Sequence, residues 1–239
     1  MKVFYNLPGL CHVNLSIGSF DTIHIGHVRL IEKLSEFEGK KVILSFFPPP
    51  FIYFGKEKNV TFLPEEKVMI LKDLNIDAVI FLPFNKEVSL LKPNEFIDFL
   101  LSKLRLRTII VGKNFRFGHK REGDVNLLYN FGKNFGFHVI SVAEERRNGE
   151  KISSSKIREL IRRGEIETAN RFLFYPYFIL GRIIKKTLKV KGLKLLPSSG
   201  VYRVKIEKRE FTAYVKSGEI HIPDYSDEGE REVKFMKKI

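Results

Sequence analysis

The amino-acid sequence predicts an α/β protein in which helices cover a parallel sheet, with a small antiparallel β-barrel-like domain at the C-terminal end. Up to about residue 175, short apolar runs alternate with segments whose apolar residues recur every three or four positions. Parallel strands need long crossover connections, which are usually helices, so this alternation indicates a parallel sheet. Further on, short runs of alternating polarity replace the helical pattern. We therefore expect a main domain at residues 1–175 and a small β domain at residues 176–239.

The predicted elements follow from the spacing of apolar residues, which has a period near two in a strand and near 3.6 in a helix. The strands expected in the sheet are residues 13–18, 41–47, 78–82, 108–111 and 137–142. The helices expected beside them are residues 27–37, 65–74, 94–104, 125–135, 154–163 and 166–174. The strands expected in the small domain are residues 177–184, 201–206, 211–215, 219–222 and 232–235.

The composition is typical of a globular protein that works in the cytosol. Of the 239 residues, 44% are hydrophobic and 29% are charged. The longest apolar stretches, residues 42–54 and 172–180, are short and interrupted by proline, so we expect no membrane partner. The first ten residues lack the pattern of a signal peptide, which favours a cytoplasmic location. A single cysteine, Cys11, excludes an internal disulfide and any multi-cysteine metal site.

The charge balance favours anionic partners. The formal net charge is +14 and the pI is near 9.7. The basic residues are scattered along the chain, and a nucleotide ligand accounts for the positive charge as well as DNA or RNA does. We do not expect nucleic acid as a partner. The densest basic cluster is expected to be a solvated face, and consists of Lys185, Lys186, Lys189, Lys191 and Lys194. The absence of Gln and Trp beside abundant Lys, Arg and Glu leads to the hypothesis of a thermophilic source.

The clearest chemical motif is the turn between the first predicted strand of the sheet and the first predicted helix. It reads Gly18-Ser19-Phe20-Asp21-Thr22-Ile23-His24-Ile25-Gly26-His27. A helix N-terminus offers amide donors and a positive dipole end to a triphosphate, and ligands of parallel sheets bind at such strand ends. The two histidines would share one helix face and donate hydrogen bonds to an α-phosphate as charge develops there. The alternative is that they only cap a helix. The residues predicted to bind ATP here are Gly18, Phe20, Asp21, His24, Gly26 and His27.

A second motif, Lys151-Ile152-Ser153-Ser154-Ser155-Lys156-Ile157-Arg158, begins a predicted helix. Ser153 or Ser154 can cap that helix, and Arg158 would then face the same anion and neutralise departing pyrophosphate. Taken alone, a serine-rich helix start is commonly only a cap. Together with the first motif it predicts that Ser154, Ser155 and Arg158 bind ATP. The predicted catalytic residues are His24, His27, Ser154 and Arg158; the sequence leaves the metal ligands undetermined.

These two motifs match the HIGH signature, at residues 24–27, and its serine–arginine partner in the nucleotidylyltransferase superfamily, whose Rossmann-like fold is shared with class I aminoacyl-tRNA synthetases. Within that superfamily the chain resembles the bacterial FAD synthetases, the bifunctional riboflavin kinase and FMN adenylyltransferase family. The resemblance runs almost continuously from Val13 to Phe174. It includes the proline loop Phe46-Phe47-Pro48-Pro49-Pro50, and the loop Val111-Gly112-Lys113-Asn114-Phe115-Arg116-Phe117-Gly118.

The resemblance implies transfer of AMP from ATP to the phosphate of FMN, which gives FAD and pyrophosphate with Mg²⁺ as the metal. It also implies that Asn114 hydrogen-bonds the isoalloxazine edge while Phe46 and Phe115 pack against the flavin. From the residues alone, Phe115 and Arg116 supply stacking and charge after a strand. The alternative is that these phenylalanines are core residues beside a glycine turn. The predicted FMN-binding residues are Phe46, Asn114, Phe115 and Arg116.

The sequence departs from the family in two places. Family members commonly have a histidine between the last two prolines of the proline loop, where this chain has Pro49, so the FMN phosphate would need other donors. The kinase segment with glycine, phenylalanine, proline, threonine, alanine and asparagine has no counterpart in residues 184–194. We therefore expect the small domain to be a remnant of the kinase barrel, without riboflavin kinase activity. Other phosphate-bearing acceptors, a non-catalytic FAD-binding protein and a basic RNA-binding module are the alternatives.

Overall fold

Six strands form a parallel sheet in the computed structural model of the chain, which describes residues 1–147 and 150–239. The sheet order is β1-β4-β3-β2-β5-β6, and every neighbouring pair is parallel. The strands are β1 (Lys2–Phe4), β2 (Leu10–Ile17), β3 (Lys40–Phe46), β4 (Ala78–Leu82), β5 (Leu104–Gly112) and β6 (His138–Val142). The helices are α1 (Ile25–Leu34), α2 (Pro50–Tyr53), α3 (Pro64–Lys72), α4 (Lys86–Leu90), α5 (Pro93–Leu101), α6 (Val125–Phe135), α7 (Ser154–Arg163) and α8 (Ile166–Phe172).

The order of the strands places a topological switch point between β2 and β5. The chain passes from β2 to β3 and β4 on one side and continues with β5 and β6 on the other. Ligands of open parallel sheets bind beyond the carboxyl ends of the strands at such a point. Gly18 follows β2, and Lys113 and Asn114 follow β5, so residues of two predicted motifs flank the switch point.

The second architectural element is a closed antiparallel barrel. Its strands are β9 (Phe178–Ile184), β10 (Thr187–Val190), β11 (Gly200–Ile206), β12 (Arg209–Lys216), β13 (Glu219–His221) and β14 (Gly229–Lys238). They close in the order β10-β13-β12-β11-β14-β9, which leaves no open sheet edge. The remaining strands, β7 (Arg146–Arg147) and β8 (Glu150–Lys151), pair with each other. The predicted fold class, a helix-flanked parallel sheet followed by an antiparallel barrel, is confirmed.

The chain divides into two compact units by its contacts. The first consists of Met1–Phe20, Gly26–Glu57 and Val68–Arg146 and contains the parallel sheet. The second consists of Asp21–Ile25, Lys58–Lys67 and Arg147–Ile239 and contains the barrel. The predicted domain boundary between residues 175 and 176 stays a prediction.

The core of the first unit joins one face of the sheet to α5 and α6. Alternate residues of each strand point to the same face, so every second side chain enters this core. Its buried members from the four central strands are Val13, Leu15, Ile17, Val42, Leu44, Ala78, Ile80, Leu82, Ile109 and Val111. Phe96, Ile97 and Leu100 of α5 and Val125 and Leu128 of α6 complete it. Strand β4 is buried along its whole length, as a central parallel strand should be.

Local signals set most element bounds. Helices α6 and α7 end at Gly136 and Gly164, both in the left-handed conformation that glycine adopts easily. The Asp124 side chain accepts a hydrogen bond from the amide of Leu127 and so caps the start of α6. Within the described parts of the chain, no helix has the length and apolar character needed to cross a membrane.

Two expectations about secondary structure and exposure were wrong. The basic segment after residue 184 contains an unpredicted strand, β10, whose Leu188 faces the barrel interior. Lys194, predicted to lie on a solvated face, is buried and forms an ion pair with Glu66, whereas Lys185, Lys186, Lys189 and Lys191 are exposed.

Three further elements were not predicted, namely strand β1 and helices α2 and α4. The two helices have only four and five residues, which is too short for a helical period to be visible in the sequence.

Candidate active site

The turn at residues 18–27, here called the histidine turn, begins directly after β2, and hydrogen bonds hold its first residues in place. The amide of Gly18 donates to the carbonyl of Leu44 at 3.1 Å, and Ser45 Oγ donates to the carbonyl of Ser19 at 2.8 Å. Phe20 is fully buried, with its ring centroid 4.9 Å from that of His27. A Cβ at position 18 would lie 3.2 Å from the Phe20 ring, so a larger residue there would press on the ring beside His27.

The turn contains two bulky residues in a backbone conformation that usually belongs to glycine. Phe20 has a φ of 44° and Ile23 has a φ of 41°. A side chain with a branched or bulky Cβ is disfavoured there, at a cost of about 1–3 kcal/mol per residue. Such strain persists only where the surroundings hold the backbone in place, and it is concentrated at functional sites.

The two histidines of the motif have different surroundings. His24 precedes α1, pairs with Leu173 in an isolated antiparallel bridge and is 8% exposed. Burial lowers the pKa of His24 to about 4, so this imidazole is neutral at pH 7. His27 lies in the first turn of α1 and is half-buried. A neutral imidazole still carries one N–H donor for a phosphate oxygen.

Asp21 and Arg158 form a buried ion pair. Arg158 Nη1 lies 2.9 Å from Asp21 Oδ2, and both side chains are almost completely buried. The Asp21 carboxylate also accepts hydrogen bonds from the amide and from Oγ1 of Thr61, each at 3.0 Å. Arg158 Nη2 donates to Ser155 Oγ at 3.1 Å. The guanidinium is therefore fixed in orientation from two sides, and both oxygens of Asp21 are bonded within the protein.

The serine motif meets the same turn. The Ser153 side chain caps α7 by accepting from the amide of Lys156, as predicted for one of the two serines. Ser154 Oγ lies 3.0 Å from Thr22 Oγ1. The structure thus brings Asp21 and Thr22 together with Ser154, Ser155 and Arg158, although more than 130 residues separate the two groups in the sequence.

A second buried ion pair lies next to Thr61. Lys194 Nζ donates to Glu66 Oε2 at 2.8 Å and to the carbonyls of Thr61 and Phe178, each at 2.6 Å. Lys67, adjacent to Glu66, is also fully buried. Burial lowers the pKa of Lys67 to about 8, opposed by the charges of Asp21 and Glu66. Acidic and basic groups are thus enclosed together in the second unit.

The loop at residues 111–118, which is predicted to bind the flavin, borders a groove in the first unit. The groove has a volume of about 530 Å³, within the range of small-molecule sites. Its lining includes Lys113, Asn114, Phe115, Arg116 and Tyr129. Asn114 is exposed, and its Nδ2 donates to Glu144 Oε1 at 2.5 Å. Arg116 lies 3.5 Å from Asp124 in an exposed ion pair.

A chain of aromatic contacts links the two phenylalanines predicted to pack against the flavin. Phe46 contacts Phe96, Phe96 contacts Phe117, and Phe117 stacks on Phe115, with centroid separations of 6.4, 6.1 and 5.7 Å. Both end members, Phe46 and Phe115, are half-buried. Phe84 contacts Phe46 at 5.3 Å and is joined by the exposed Tyr53 and Phe54.

Comparison with known proteins identifies the family of the chain. Residues 10–156, more than half of the sequence, match the family model described as FAD synthetase. The chain belongs to the FAD synthetase family. This family consists of nucleotidyltransferases that form FAD from FMN and ATP, so the predicted family, enzyme class and FAD-forming function are confirmed.

Curated relatives agree with this assignment. The chain is 33% identical to the bifunctional riboflavin kinase/FMN adenylyltransferase of Buchnera aphidicola subsp. Schizaphis graminum, over 86% of this chain and 73% of the relative. It is 34% identical to the protein of that description from Escherichia coli K12, over 71% of this chain and 56% of the relative. It is 33% identical to the FAD synthetase of Listeria monocytogenes, over 79% of each.

A solved structure supports the fold of the chain. The match is to a crystal structure described as a macrolide-efflux protein from Streptococcus pneumoniae, with a TM-score of 0.84 over 100% of this chain and 90% of that one. The sequences are 22% identical, so the comparison bears on the fold alone.

Sequence reasoning gave no role in the site to four buried residues of the second unit, namely Thr61, Glu66, Lys67 and Lys194. The only local signal for the burial of Lys194 is its position between two leucines. Among residues 1–147 and 150–239, no three side chains of His, Cys, Asp or Glu are grouped so that they could hold a metal ion. The predicted site residues themselves stay predictions, now with known surroundings.

Proposed function

We propose that this enzyme works by direct in-line displacement at the α-phosphorus of ATP, without a protein nucleophile. An oxygen of the FMN phosphate attacks the α-phosphorus, a new P–O bond forms, and the bond to the bridging oxygen of pyrophosphate breaks. Positioning and electrostatic stabilisation then supply the catalysis. The observation that carries this proposal is the buried assembly of Asp21, Thr22, Ser154 and Arg158, which places an oriented guanidinium and hydroxyls at the histidine turn.

The histidines would act on the α-phosphate. His24 is neutral at pH 7, so we assign it as a hydrogen-bond donor and not as a positive charge or a general acid. His27, in the first turn of α1, would donate to the same phosphate as charge develops on its oxygens. Gly18 and Gly26 would let the nucleotide lie close to the backbone, and the helix N-terminus would add its amide donors. In this proposal Phe20 shapes the turn by packing against His27.

Arg158 would neutralise the departing pyrophosphate, with Ser154 and Ser155 beside it. A guanidinium suits this task because it stays charged and has a planar set of donors. Its ion pair with Asp21 keeps the group in one orientation before ATP binds. We therefore propose that Asp21 contributes to ATP binding mainly by holding Arg158.

FMN would occupy the groove at the end of β5. The amide of Asn114 would read the isoalloxazine edge, Phe115 would pack against the ring, and Arg116 would contribute positive charge toward the FMN phosphate. Phe46, which is not part of the groove lining, would pack against the flavin from the other end of the aromatic chain. The groove volume and the exposed position of Asn114 support this assignment. Glu144 already binds one hydrogen of the Asn114 amide, which favours the amide oxygen as the acceptor for the flavin.

Mg²⁺ fits as the companion of ATP. Mg²⁺ keeps several waters and is usually bound by one or two carboxylates together with substrate phosphates. The described residues, which contain no preformed three-ligand cluster, are compatible with that mode. Bound there, the ion would neutralise charge on the triphosphate.

We also propose that residues 1–175 form the adenylyltransferase domain and that residues 176–239 are a kinase remnant without riboflavin kinase activity. Strands β9 and β10 are joined by Lys185 and Lys186 alone, with φ values of 46° and 63°. That geometry is typical of a two-residue hairpin turn. A tight hairpin therefore stands where the kinase family has its nucleotide-binding segment, and it offers no loop to enclose a second ATP.

The test is a product analysis. Purified protein is incubated with ATP and Mg²⁺ and either FMN or riboflavin, and the flavins are separated by chromatography. We expect FAD and pyrophosphate from FMN, and no FMN from riboflavin. Formation of FMN from riboflavin by protein free of contaminating kinase would contradict the kinase part alone.

We further propose that the enzyme works in the cytoplasm on free nucleotides and that it comes from a thermophile. A thermophilic source predicts a midpoint of thermal unfolding above the range of ordinary mesophilic domains, which is about 45–65 °C.

A further inference from the structure

The barrel contains a fully buried cation that belongs to no part of the proposed chemistry. Lys194 lies in the connection between β10 and β11, and its side chain is fully buried together with that of Glu66. An ammonium has three protons, and Nζ has three oxygen partners, the carbonyls of Thr61 and Phe178 and the carboxylate of Glu66. The rings of Phe62 and Tyr177 each have centroids 4.8 Å from Nζ. Neither a shorter nor a neutral side chain could make this set of contacts.

Glu66 also links residues 60–66 to the barrel through its other hydrogen bonds. Its Oε1 accepts from the amide of Leu180 in β9 at 2.8 Å, and its Oε2 accepts from the amide of Leu63 at 2.8 Å. The backbone is bridged as well, because the amide of Val60 donates to Leu193 and the amide of Leu195 donates to Val60, both at 2.7 Å. Residues 60–66 are therefore fixed to the barrel by buried charge and by backbone hydrogen bonds.

Thr61 connects the buried Lys194–Glu66 pair to the predicted phosphate site. Its carbonyl accepts from Lys194, while its amide and Oγ1 donate to the two oxygens of Asp21. Asp21 in turn holds Nη1 of Arg158. An uninterrupted path of buried hydrogen bonds thus runs from Lys194 through Thr61 and Asp21 to Arg158.

We propose that Lys194 is a positioning residue for adenylyl transfer, through which the C-terminal barrel sets the orientation of Arg158. The inference rests on the proposed function, because it assigns Arg158 to the departing pyrophosphate. It gives the barrel a role that does not require kinase chemistry. The barrel supplies a rigid, closed support on which the turn residue Asp21 and the helix residue Arg158 are held together.

The first test compares Lys194→Met with Tyr177→Phe in steady-state FAD formation, well below the unfolding temperature of each variant. The Tyr177 hydroxyl donates to the carbonyl of Leu195, so its removal takes one buried hydrogen bond from the same connection without touching Thr61. We expect Lys194→Met to lower kcat by at least tenfold with the KM for FMN within twofold. Tyr177→Phe is expected to keep the wild-type kcat. Equal losses of kcat in both variants would indicate a general effect of barrel stability and would overturn the proposal.

A second variant covers the case in which Lys194→Met does not fold. Replacing both partners of a buried ion pair by apolar residues of similar volume often leaves a protein folded, since no uncompensated charge remains. The double variant Glu66→Leu, Lys194→Met therefore removes the hydrogen bond to Thr61 within a packed interior. We expect it to unfold cooperatively and to show the same loss of kcat. A folded double variant with wild-type kcat would overturn the proposal.

The last measurement asks whether Lys194 acts through Arg158. Single-turnover rates are measured for the double variant, for Arg158→Ala and for their combination. If the path is correct, the combination is no slower than Arg158→Ala, because the group being positioned is gone. Rates that fall by the product of the two separate effects would contradict it. A wild-type enzyme that forms no FAD from FMN and ATP would instead contradict the proposed function.

Discussion

The two parts of the proposed site differ in how much of their geometry exists before substrate binds. In the second unit, Asp21, Glu66, Arg158 and Lys194 are buried, charged and bonded to one another or to the backbone. In the first unit, Asn114 and Arg116 lie exposed beside an open groove, and each is paired with an exposed carboxylate. The groups assigned to phosphate chemistry are thus preorganised, whereas those assigned to flavin recognition are not.

This difference has a physical reason. Stabilising a transition state requires donors that are already oriented, because reorganisation during the reaction would consume the advantage. Recognition of a ring edge needs only that the amide be reachable, and it can accept the cost of ordering one side chain. Mutations in the buried network should therefore act on stability and turnover, and mutations in the groove on FMN affinity.

The largest effect is expected from Glu66→Gln. Removing the charge leaves Lys194 buried without its counterion, and loss of one partner of a buried pair costs about 3–5 kcal/mol of unfolding free energy. The matched control is Glu167→Gln, which removes the exposed pair with Arg171 and should cost less than about 1 kcal/mol. Urea unfolding measures both. Similar losses in the two variants would show that burial does not distinguish these pairs.

The pH dependence of stability should report on His24. The pKa of His24 is about 4 in the folded protein against 6.5 in the unfolded chain. Between these values the unfolded state binds a proton that the folded state does not, so the unfolding free energy falls as the pH falls. The loss is complete below about pH 4 and amounts to about 3 kcal/mol. Urea unfolding from pH 7 to pH 4 should show a smaller decline for His24→Asn than for the wild type; parallel curves would contradict the assignment.

Turnover should depend strongly on His27. The variant His27→Ala is expected to lower kcat about a hundredfold or more, because the lost donor acts on charge that develops in the transition state. The KM for ATP should change little. The exposed His138 provides the control, since His138→Ala should leave both constants unchanged. A change confined to the KM for ATP would mean that His27 only binds the substrate.

The smallest effect is expected in the groove. Asn114→Ala removes one exposed hydrogen-bonding side chain, and a single hydrogen bond contributes about 0.5–1.5 kcal/mol. The KM for FMN should therefore rise by up to about tenfold while the KM for ATP stays within twofold. Asn134→Ala, at an exposed position of α6, is the control. Equal changes for both substrates would assign Asn114 a structural role and would weaken the contrast between the two units.

Local features of the fold could be predicted from the sequence because their causes are local. Helices α6 and α7 were predicted with their observed bounds, since each has a helical apolar period, a side-chain cap and a glycine at its end. The histidine turn was placed between a strand and a helix for the same reason. The barrel strands were found by their alternation, apart from β10, which has only four residues and a single buried side chain, that of Leu188.

The sequence by itself determined the class of fold, the family and the segments that carry its motifs, because each depends on residues close together in the chain. Only the tertiary structure decided that Asp21 bonds to Arg158 across 137 positions and Lys194 to Glu66 across 128. A lysine among lysines predicts a solvated face. Its burial depends on whether folding brings a carboxylate and carbonyl oxygens to it from elsewhere. Pairings of this kind are decided by packing between distant segments, which local composition does not encode.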